Sequence, residues 1–461
     1  MRPKGDKEAQ SATSETFRSQ YYFVFLCAVL ICLSPVKPLA YLAPFFAIAW
    51  MYWRSGSNQL RRRATRICAL ILAILLVSYL VSRSYILTGG VLAAVTYGTF
   101  FFLAVVPIEC LADKTLLEDM SGLIRKVLLL EAIVGIVQGL AAAYQSGSFD
   151  AANGDAVEGT IHLSFTPDDA FGNPMFAANL CFMLLALLPG LVTKRRSLYV
   201  PVILGVIAFV LASVMHMIVF LAVSIILALC LFRPPIPAAI GKSHLVAIGL
   251  LVPLLTIALL IGNLGSLPYF GSSFVAGELP KGEIIRRAIV EMPDEYPAMP
   301  YVGLGAGQFS SRASLIATGL YLGGIDDPKT VPFLKAQVSK SVEDYLYDLW
   351  VVSSESGPFG GGSTVRPYFS WISVYTEFGA LAFLGICGYV AVLLIRLKRR
   401  ARSGKQKWQA VSAGSAIVLF FLLGFQENYW EVPQAILIGL MFVQVMYANA
   451  IYCPDQSGSG V

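Results

Sequence analysis

Charged residues are scarce in this sequence. Asp, Glu, Lys and Arg make up only 13% of its 461 residues, whereas apolar and aromatic residues make up 57%. A soluble domain carries roughly 25% charged residues, so this chain lacks the polar side chains that would cover a globular surface. The scarcity excludes an ordinary cytosolic enzyme, and the apolar content excludes a disordered chain. We therefore expect a polytopic membrane protein whose exterior is solvated by lipid.

Several kinds of chemical site are missing as well. The eight cysteines lie in or beside apolar runs and the three histidines are scattered, so no C-x-x-C or other metal-ligand spacing is present. There is no G-x-x-x-x-G-K-[ST] phosphate-binding loop. The sequence predicts no metal, no other cofactor and no ATP hydrolysis. In a membrane protein the net charge of +6 is no sign of a nucleic-acid partner, and we expect none.

Apolar runs long enough to cross about 30 Å of hydrocarbon as helices recur along the chain. The stretch 198–232 would measure about 52 Å as one helix, so we divide it near Ser213. The first pair of runs is short and is also compatible with a re-entrant hairpin. With this division there are twelve runs, at residues 21–34, 38–53, 67–83, 86–106, 127–144, 172–192, 198–213, 214–232, 245–264, 371–395, 408–425 and 434–452. The predicted fold is all-α, with about twelve transmembrane helices.

The positions of Lys and Arg predict which loops face the cytoplasm. Cytoplasmic loops of membrane proteins are enriched in these residues. With the N-terminus inside, the basic clusters at 61–63, 194–196 and 398–400 all fall inside, as do most of the 34 Lys and Arg residues. Both termini are then cytoplasmic, and the largest loop is outside the membrane.

Three parts follow from this topology. Residues 1–264 form an N-terminal bundle of about nine helices. Residues 265–370 form the large outer loop, which we predict to be a mostly helical cap because apolar residues recur at helical spacing at 284–292 and 342–350. A glycine-rich arm at 357–363 follows. Residues 371–461 add three transmembrane helices and a short cytoplasmic tail.

Ionisable residues near membrane depth are candidates for function because their burial is costly. Glu377 falls about two turns into the helix that begins near Trp371, where it serves either as a functional group or as an interfacial structural carboxylate. Arg366 lies just before that helix, and Arg286 and Arg287 lie on the first apolar stripe of the outer loop. Arginines outside the membrane suit binding of phosphate or pyrophosphate, although solvated surface positions are the plain alternative.

Two outer turns have compositions of interest. The turn at 426–431, which contains Glu427, combines amides, carboxylates and aromatic rings. This mixture suits sugar rings, and it equally suits an aromatic belt at the membrane surface. At the other turn, Asn173 and Pro174 lead from the earlier outer loop into the next helix.

Several segments, in this order and placement, resemble the superfamily of O-antigen ligases and polysaccharide polymerases. The resemblance covers roughly residues 160–452. It rests on Phe171-Gly172-Asn173-Pro174-Met175-Phe176-Ala177, on Gly303-Leu304-Gly305-Ala306-Gly307-Gln308-Phe309, on Arg366-Pro367, and on Trp371 through Glu377-Phe378-Gly379-Ala380-Leu381. It implies an inner-membrane glycosyltransferase of bacteria that acts, without a metal, on undecaprenyl-pyrophosphate-linked glycans at the periplasmic face. It also implies a chain-length regulator and a flippase as further partners.

The resemblance implies roles for individual residues. Arginines would stabilise the departing pyrophosphate, and Glu377 or a loop carboxylate such as Glu283 would act as the base. We assign catalysis to Glu377, Arg366 and Arg286. We assign substrate binding to Arg287, Arg312, Gly305, Gln308, Asn173, Tyr368, Tyr375 and Glu427.

Two departures from the family pattern bear on the reaction. Tyr368 and Phe369 stand where ligases typically carry His-Asn, and His216 stands where an Arg is frequent. Both departures count against a ligase and favour a polymerase or a divergent member of the superfamily, and they leave the general base unassigned. A multi-pass transporter is the alternative from a different class, although no internal repeat is visible in the sequence.

Overall fold

The computed structural model describes residues 4–81, 85–147, 151–163, 173–193, 195–235, 272–274, 276, 279–319, 327–332, 334–355 and 366–453. Every regular element in these ranges is a helix and none is a strand, which confirms the all-α prediction. Three predicted features lie outside the described residues: the helix at 245–264, the arm at 357–363, and Phe171 with Gly172.

The described residues form long helices in two groups, with short helices between them. Up to residue 235 the α-helices are α1 (Lys4–Cys32), α2 (Lys37–Arg54), α3 (Asn58–Val81), α4 (Leu87–Thr96), α5 (Gly98–Val105), α6 (Lys114–Ser146), α7 (Asn173–Val192), α8 (Tyr199–Leu211) and α9 (Met215–Phe232). The short helices are α10 (Pro280–Arg286), α11 (Met292–Glu295), α12 (Met299–Val302), α13 (Arg312–Ala317), α14 (Lys340–Tyr345) and α15 (Tyr347–Glu355). The last group is α16 (Ser370–Arg400), α17 (Gly404–Gln426) and α18 (Pro433–Tyr452).

Among the described residues, seven helices are long and apolar enough to cross a membrane: α3, α6, α7, α9, α16, α17 and α18. The pair α4 and α5, bent by 52°, adds an eighth if it is one span. Several such helices indicate an integral membrane protein. The predicted number of about twelve is not confirmed. The first half of α1 is charged, α2 carries a cation at each end, and α8 has only 13 residues.

The apolar stretch 198–232 is divided near Ser213, as predicted. α8 ends at Leu211 and α9 begins at Met215, and between them Ser213 has a φ of 53°, in the left-handed region. Asn173, at the start of α7, donates from Nδ2 to the carbonyl of Ala212 at 2.9 Å. The same Nδ2 donates to the carbonyl of Gly154 at 2.6 Å. Asn173 therefore links the break at Ser213 to the start of α7 and to the segment that contains Gly154.

The predicted single span at 86–106 is bent in the structure. α4 packs backbone against backbone on the segment 303–309. A Cβ atom on Gly89 would lie 2.3 Å from the carbonyl oxygen of Gly307, and a Cβ atom on Gly307 would lie 2.1 Å from that of Gly89. Both positions therefore require glycine, because no side chain fits between the two backbones. α4 runs alongside this segment, and α5 continues at an angle of 52° to α4.

α16 is broken at Gly379, which has φ 80° and ψ 170°. A break in a helix frees the carbonyl groups of the turn before it. Here the N–H groups of Leu304 and Gly305 donate to the carbonyls of Thr376 and Glu377, at 2.8 and 3.0 Å. Part of the predicted outer loop is thus docked into the helix bundle beside α16.

The helices differ in how deeply they are buried. In the apolar 18-residue stretch of each helix, 83% of the residues are buried in α18, but only 6% are buried in α3 and in α16. α18 is therefore the central helix, and α3 and α16 face lipid. We call the end where α3, α6 and α17 begin the basic end, because it carries Arg61, Arg62 and Arg63 and the run Lys398–Arg400. We call the opposite end, where α17 ends at Gln426, the site end.

Because the loop is docked closely on α16, we expect one added methyl group at Gly303 to lower the stability of the protein strongly. Gly303 has a φ of +79°, and a Cβ atom there would lie 2.2 Å from the carbonyl oxygen of Glu377. We expect Gly303→Ala to destabilise the protein by more than about 1 kcal/mol. The matched control is Gly388→Ala in α16, because nothing lies within 4 Å of a Cβ atom at Gly388. Thermal unfolding in detergent measures both, and a G303A variant that melts with the wild type contradicts the docking.

Candidate functional site

The site end is organised around the buried carboxylate of Glu377. Its Oε2 accepts a hydrogen bond from the N–H of Gly307 at 2.6 Å. Its Oε1 accepts from the N–H groups of Phe309 and Ser311 at 3.0 and 3.2 Å. Both oxygens are therefore satisfied by backbone donors, as a fully buried carboxylate requires. These contacts favour the structural alternative for Glu377, because they fasten the segment 303–311 to α16.

A second buried carboxylate, that of Glu431, lies where the same segment enters α13. Its Oε2 accepts from the N–H of Arg312 at 2.8 Å and from the hydroxyl of Thr96 at 3.4 Å. The pKa of Glu431 is raised to about 8, chiefly by burial and also by the negative charge of Glu377, and Arg312 opposes this rise. Glu431 therefore holds a proton at neutral pH.

Two arginines meet at one carboxylate beside these groups. Nη2 of Arg312 lies 3.1 Å from Oε1 of Glu427, and Nη1 of Arg366 lies 3.4 Å from the same oxygen. The side chains of Arg312 and Glu427 are 2% and 8% exposed, but that of Arg366 is 33% exposed. Arg366 is thus the arginine of this group that a molecule outside the protein reaches first.

Lys281, from α10, adds a third cation next to this group. Its Nζ donates to the carbonyl of Gln426 and lies 5.4 Å from the ring centroid of Phe369. Burial lowers the pKa of Lys281 to about 7; the charge of Glu427 opposes this effect and that of Arg366 adds to it. A negative charge placed nearby would raise this pKa and favour the charged form of the amine.

The turn 426–431 is locked to the rest of the site by a neutral residue, Asn428. Its Nδ2 donates to the carbonyl of Ser310 at 2.8 Å, and its Oδ1 accepts from the hydroxyl of Ser373 at 3.2 Å. The hydroxyls of Ser310 and Ser373 lie 3.1 Å apart. The segments 303–312, 366–379 and 426–431 therefore meet at one place, which we call the site cluster.

An apolar groove of about 560 Å³ adjoins the site cluster. Its walls come from α3, α4, α5, α16, α17 and α18, and two of these helices, α3 and α16, expose most of their apolar residues. Its lining includes Ala306 of the docked segment, Trp430 of the turn, and Tyr97, whose hydroxyl is close to Glu431. The groove therefore borders the docked segment and the turn 426–431 on one side and the lipid-exposed helices on the other.

The structure brings most of the predicted site residues together. Glu377 and Gly305 join α16 to the docked segment, and Gln308 accepts from the N–H of Ile86 at 2.9 Å and donates to its carbonyl at 3.0 Å. Arg312, Arg366 and Glu427 form the ion-paired group. Tyr368 lies under the guanidinium of Arg366, 5.8 Å from its Cζ, and Tyr375 packs on the apolar cluster of the loop.

Arg286 and Arg287 belong to a separate ion-pair network. Arg286, whose side chain is 52% exposed, pairs with Glu283 and Glu291 at 2.5 and 2.7 Å. Arg287 pairs with Glu283 at 3.0 Å and with Asp348 at 2.7 Å, which joins α10 to α15. Within the described residues no ion pair or hydrogen bond links either arginine to the site cluster. Asn173 likewise lies elsewhere, at the break between α8 and α9.

Sequence reasoning missed Lys281 and the protonated state of Glu431. Lys281 stands three residues before the apolar stripe that begins at Ile284, and nothing in the sequence around it marks a buried amine. In the described part of the chain no three His, Cys, Asp or Glu side chains are grouped to hold a metal ion. No protein-family model matches the chain, and no curated protein is significantly similar to it.

The raised pKa of Glu431 predicts a pH-dependent stability. Because the native carboxyl group titrates at about 8 instead of 4.5, the folded state holds a proton that the unfolded chain releases, and stability falls as the pH rises between these values. Glu431→Gln mimics the protonated form and should remove this part of the decline. Apparent melting temperatures from pH 5 to pH 8.5 test this. Glu343→Gln, at an exposed position, is the control, and a pH-independent difference between E431Q and wild type contradicts the prediction.

Proposed function

We propose that the protein is a polysaccharide polymerase of the bacterial inner membrane. It transfers glycan repeat units from an undecaprenyl-pyrophosphate-linked donor to a sugar hydroxyl at the periplasmic face. One observation carries the proposal: the site cluster holds the ion-paired group of Arg312, Glu427 and Arg366, and the same cluster borders an apolar groove through Ala306, Val374 and Trp430. A lipid-linked pyrophosphate has the matching chemistry, with a long apolar tail, two phosphates and a polar glycan.

The donor would use both parts of this arrangement. The groove takes a segment of the polyprenyl tail, because its wall is formed almost entirely by aliphatic and aromatic side chains. The pyrophosphate then lies beyond Tyr97 and Trp430, near the partly exposed guanidinium of Arg366. A guanidinium binds two phosphate oxygens with its planar fork, which suits a leaving group whose negative charge grows during the reaction.

The transfer step is a displacement at the anomeric carbon of the donor. The oxygen of the acceptor hydroxyl forms a bond to this carbon, and the bond between the carbon and the pyrophosphate oxygen breaks. The polyprenyl pyrophosphate leaves with the electron pair, and the proton of the hydroxyl goes to a base. Glu427 is the carboxylate nearest to Arg366, so we assign it contact with the acceptor hydroxyl. In its charged form, Lys281 adds positive charge close to Arg366, which favours departure of the pyrophosphate.

Glu377 has a positioning role in this proposal. Its carboxylate is occupied by three backbone N–H groups, so it acts on the reaction through the segment that carries Arg312. Arg312 in turn holds Glu427 from the buried side. Arg286 and Arg287 shape the surface near α10, where a growing glycan would pass.

The proposed orientation places the site end in the periplasm. The arginine and lysine clusters of the basic end then face the cytoplasm, as the distribution of positive charge requires. Both termini are cytoplasmic, and residues 265–370 are the periplasmic loop. Counting α1, α2, α8 and residues 245–264 as membrane helices gives the twelve spans that this topology needs.

Two other functions share part of this support. A ligase would use the same donor but transfer the finished glycan to a lipid or another acceptor. A transporter is favoured by the bend between α4 and α5 and by the break at Gly379, because broken helices beside buried carboxylates are typical of transport sites. Deletion separates the three. Surface glycan of single repeat units indicates a polymerase, unattached lipid-linked polymer a ligase, and lipid-linked units retained in the cytoplasmic leaflet a transporter.

Arg366 provides the sharpest test of the reaction. We expect Arg366→Ala to reduce long-chain surface polysaccharide by at least ~100-fold, because it removes a charge that stabilises the transition state. Arg366→Lys should restore part of the activity, since lysine keeps the charge without the fork. The control is Lys329→Ala, which removes an exposed cation from the same loop. Gel analysis of cells with equal protein abundance is the measurement, and full-length chains made by R366A would reject the proposed role.

The groove makes a second prediction, about the tail of the donor. Ala94 of α4 and Ala382 of α16 both line the groove. Replacing either by Phe should lower activity with a long polyprenyl donor about tenfold, and should change little with a donor of three isoprene units, because a short tail does not fill the groove. Ala391→Phe, on the exposed surface of α16, is the control. Equal losses with both donors would place the tail elsewhere.

A further inference from the structure

A second cavity lies at the basic end of the bundle, opposite to the site cluster. Its volume is about 650 Å³, and its lining comes from α6, α7, α17 and α18, with the residues just before α8 and just after α9. The deeper wall is apolar and contains Ala186, Leu187, Leu198 and Met446. The proposed transferase reaction has no use for this cavity, because the cavity and the site cluster are at opposite ends of the membrane helices.

The charges of the cavity are unbalanced. Four cationic side chains line it, those of Lys114, Arg125, Arg195 and Lys405, and the one carboxylate among its lining residues is that of Glu118. Glu118 is already close to Arg195, at 3.6 Å. The described residues provide no ion pair or hydrogen bond for the side chains of Arg125 and Lys405.

The N-termini of α6 and α17 lie at this cavity, and each is capped by a residue other than the four cations. The first turn of α6 is capped by the carboxylate of Asp113, which accepts from the N–H of Leu116 at 2.9 Å. The first turn of α17 is capped by Ser403, which accepts from the N–H of Gln406 at 3.2 Å. Arg125 is half-buried between α6 and its neighbours. A half-buried guanidinium without a protein partner is stabilised by an anion, and phosphate oxygens match its fork.

We propose that this cavity binds the phosphate group of an anionic ligand. Two sources have the required chemistry: the headgroup of an anionic phospholipid and a free phosphate or pyrophosphate from solution. Basic cavities between membrane helices at the cytoplasmic side suit lipid headgroups. The rim supports the lipid source, because α8 begins there and exposes Tyr199, Val200 and Ile203, so the cavity lies beside the lipid phase. The apolar wall then receives the glycerol and the first acyl carbons.

Lipid binding to the full-length protein in a neutral detergent tests the proposal. Native mass spectrometry with phosphatidylglycerol measures the lipid arm, with zwitterionic phosphatidylcholine, which has no net charge, as the comparison. A titration with inorganic pyrophosphate measures the soluble arm. We expect the double variant Arg125→Gln with Lys405→Gln to bind one of the two anions about tenfold more weakly. The control, Arg62→Gln with Arg399→Gln, removes the same charge from exposed positions at the same end.

The outcomes are distinct. Selective loss of phosphatidylglycerol binding supports the cavity with a lipid as its ligand, and selective loss of pyrophosphate binding supports it with a soluble ligand. Arg125→Lys with Lys405→Arg keeps both charges and should retain binding, which separates loss of charge from loss of folding. If the double Gln variant binds both anions as the control does, the cavity is not an anion site. This test does not depend on glycan transfer, so it stands apart from the proposed function.

Discussion

The site end of this protein is held together by three backbone N–H groups that donate hydrogen bonds to one buried carboxylate. The carboxylate of Glu377 accepts them from a segment that is far away in sequence, and the break of α16 at Gly379 provides two further carbonyl acceptors for the same segment. Without these contacts, residues 303–311 would bring buried polar backbone groups into an apolar bundle, which is costly. The glycines at 303, 305 and 307 make such a close backbone approach possible.

This docking arranges the charges of the site. Backbone N–H groups donate to the carboxylate of Glu377 and to Oε2 of Glu431, and the guanidinium of Arg312 pairs with Glu427, which also pairs with Arg366. In the site cluster, the partly exposed Arg366 is therefore held by the buried Glu427, which is held in turn by the buried Arg312. The apolar groove lies against the other side of the docked segment, at Ala306. Charge and apolar surface meet at one place because a single segment borders both, and this combination is what a lipid-linked pyrophosphate needs.

The sequence alone predicts the local features well. The lengths of the apolar runs locate the long described helices. The stretch 198–232 is longer than the thickness of the membrane as one helix, and its division falls at Ser213. The glycine-rich segment 303–309 and Glu377 are both recognisable, but their pairing is not, since it depends on contacts between residues about 70 positions apart. The bend in 86–106 has the same origin, in the contact of Gly89 with Gly307. Arg286 and Arg366 look alike in sequence, and only the partners of each, Glu283 and Glu427, distinguish an exposed network from a buried cluster.

The position of a lipid-linked pyrophosphate on the purified protein tests the central claim most directly. A polyprenyl pyrophosphate with a photoreactive group in the middle of its tail would be bound, irradiated and mapped by peptide mass spectrometry. The account predicts labels on α4 and α5 and on the face of α16 that contains Ala382 and Ile386, with competition by an unlabelled donor and loss of labelling in R366A. Labels spread evenly over lipid-facing helices such as α8 and α9, unchanged by R366A, would contradict it.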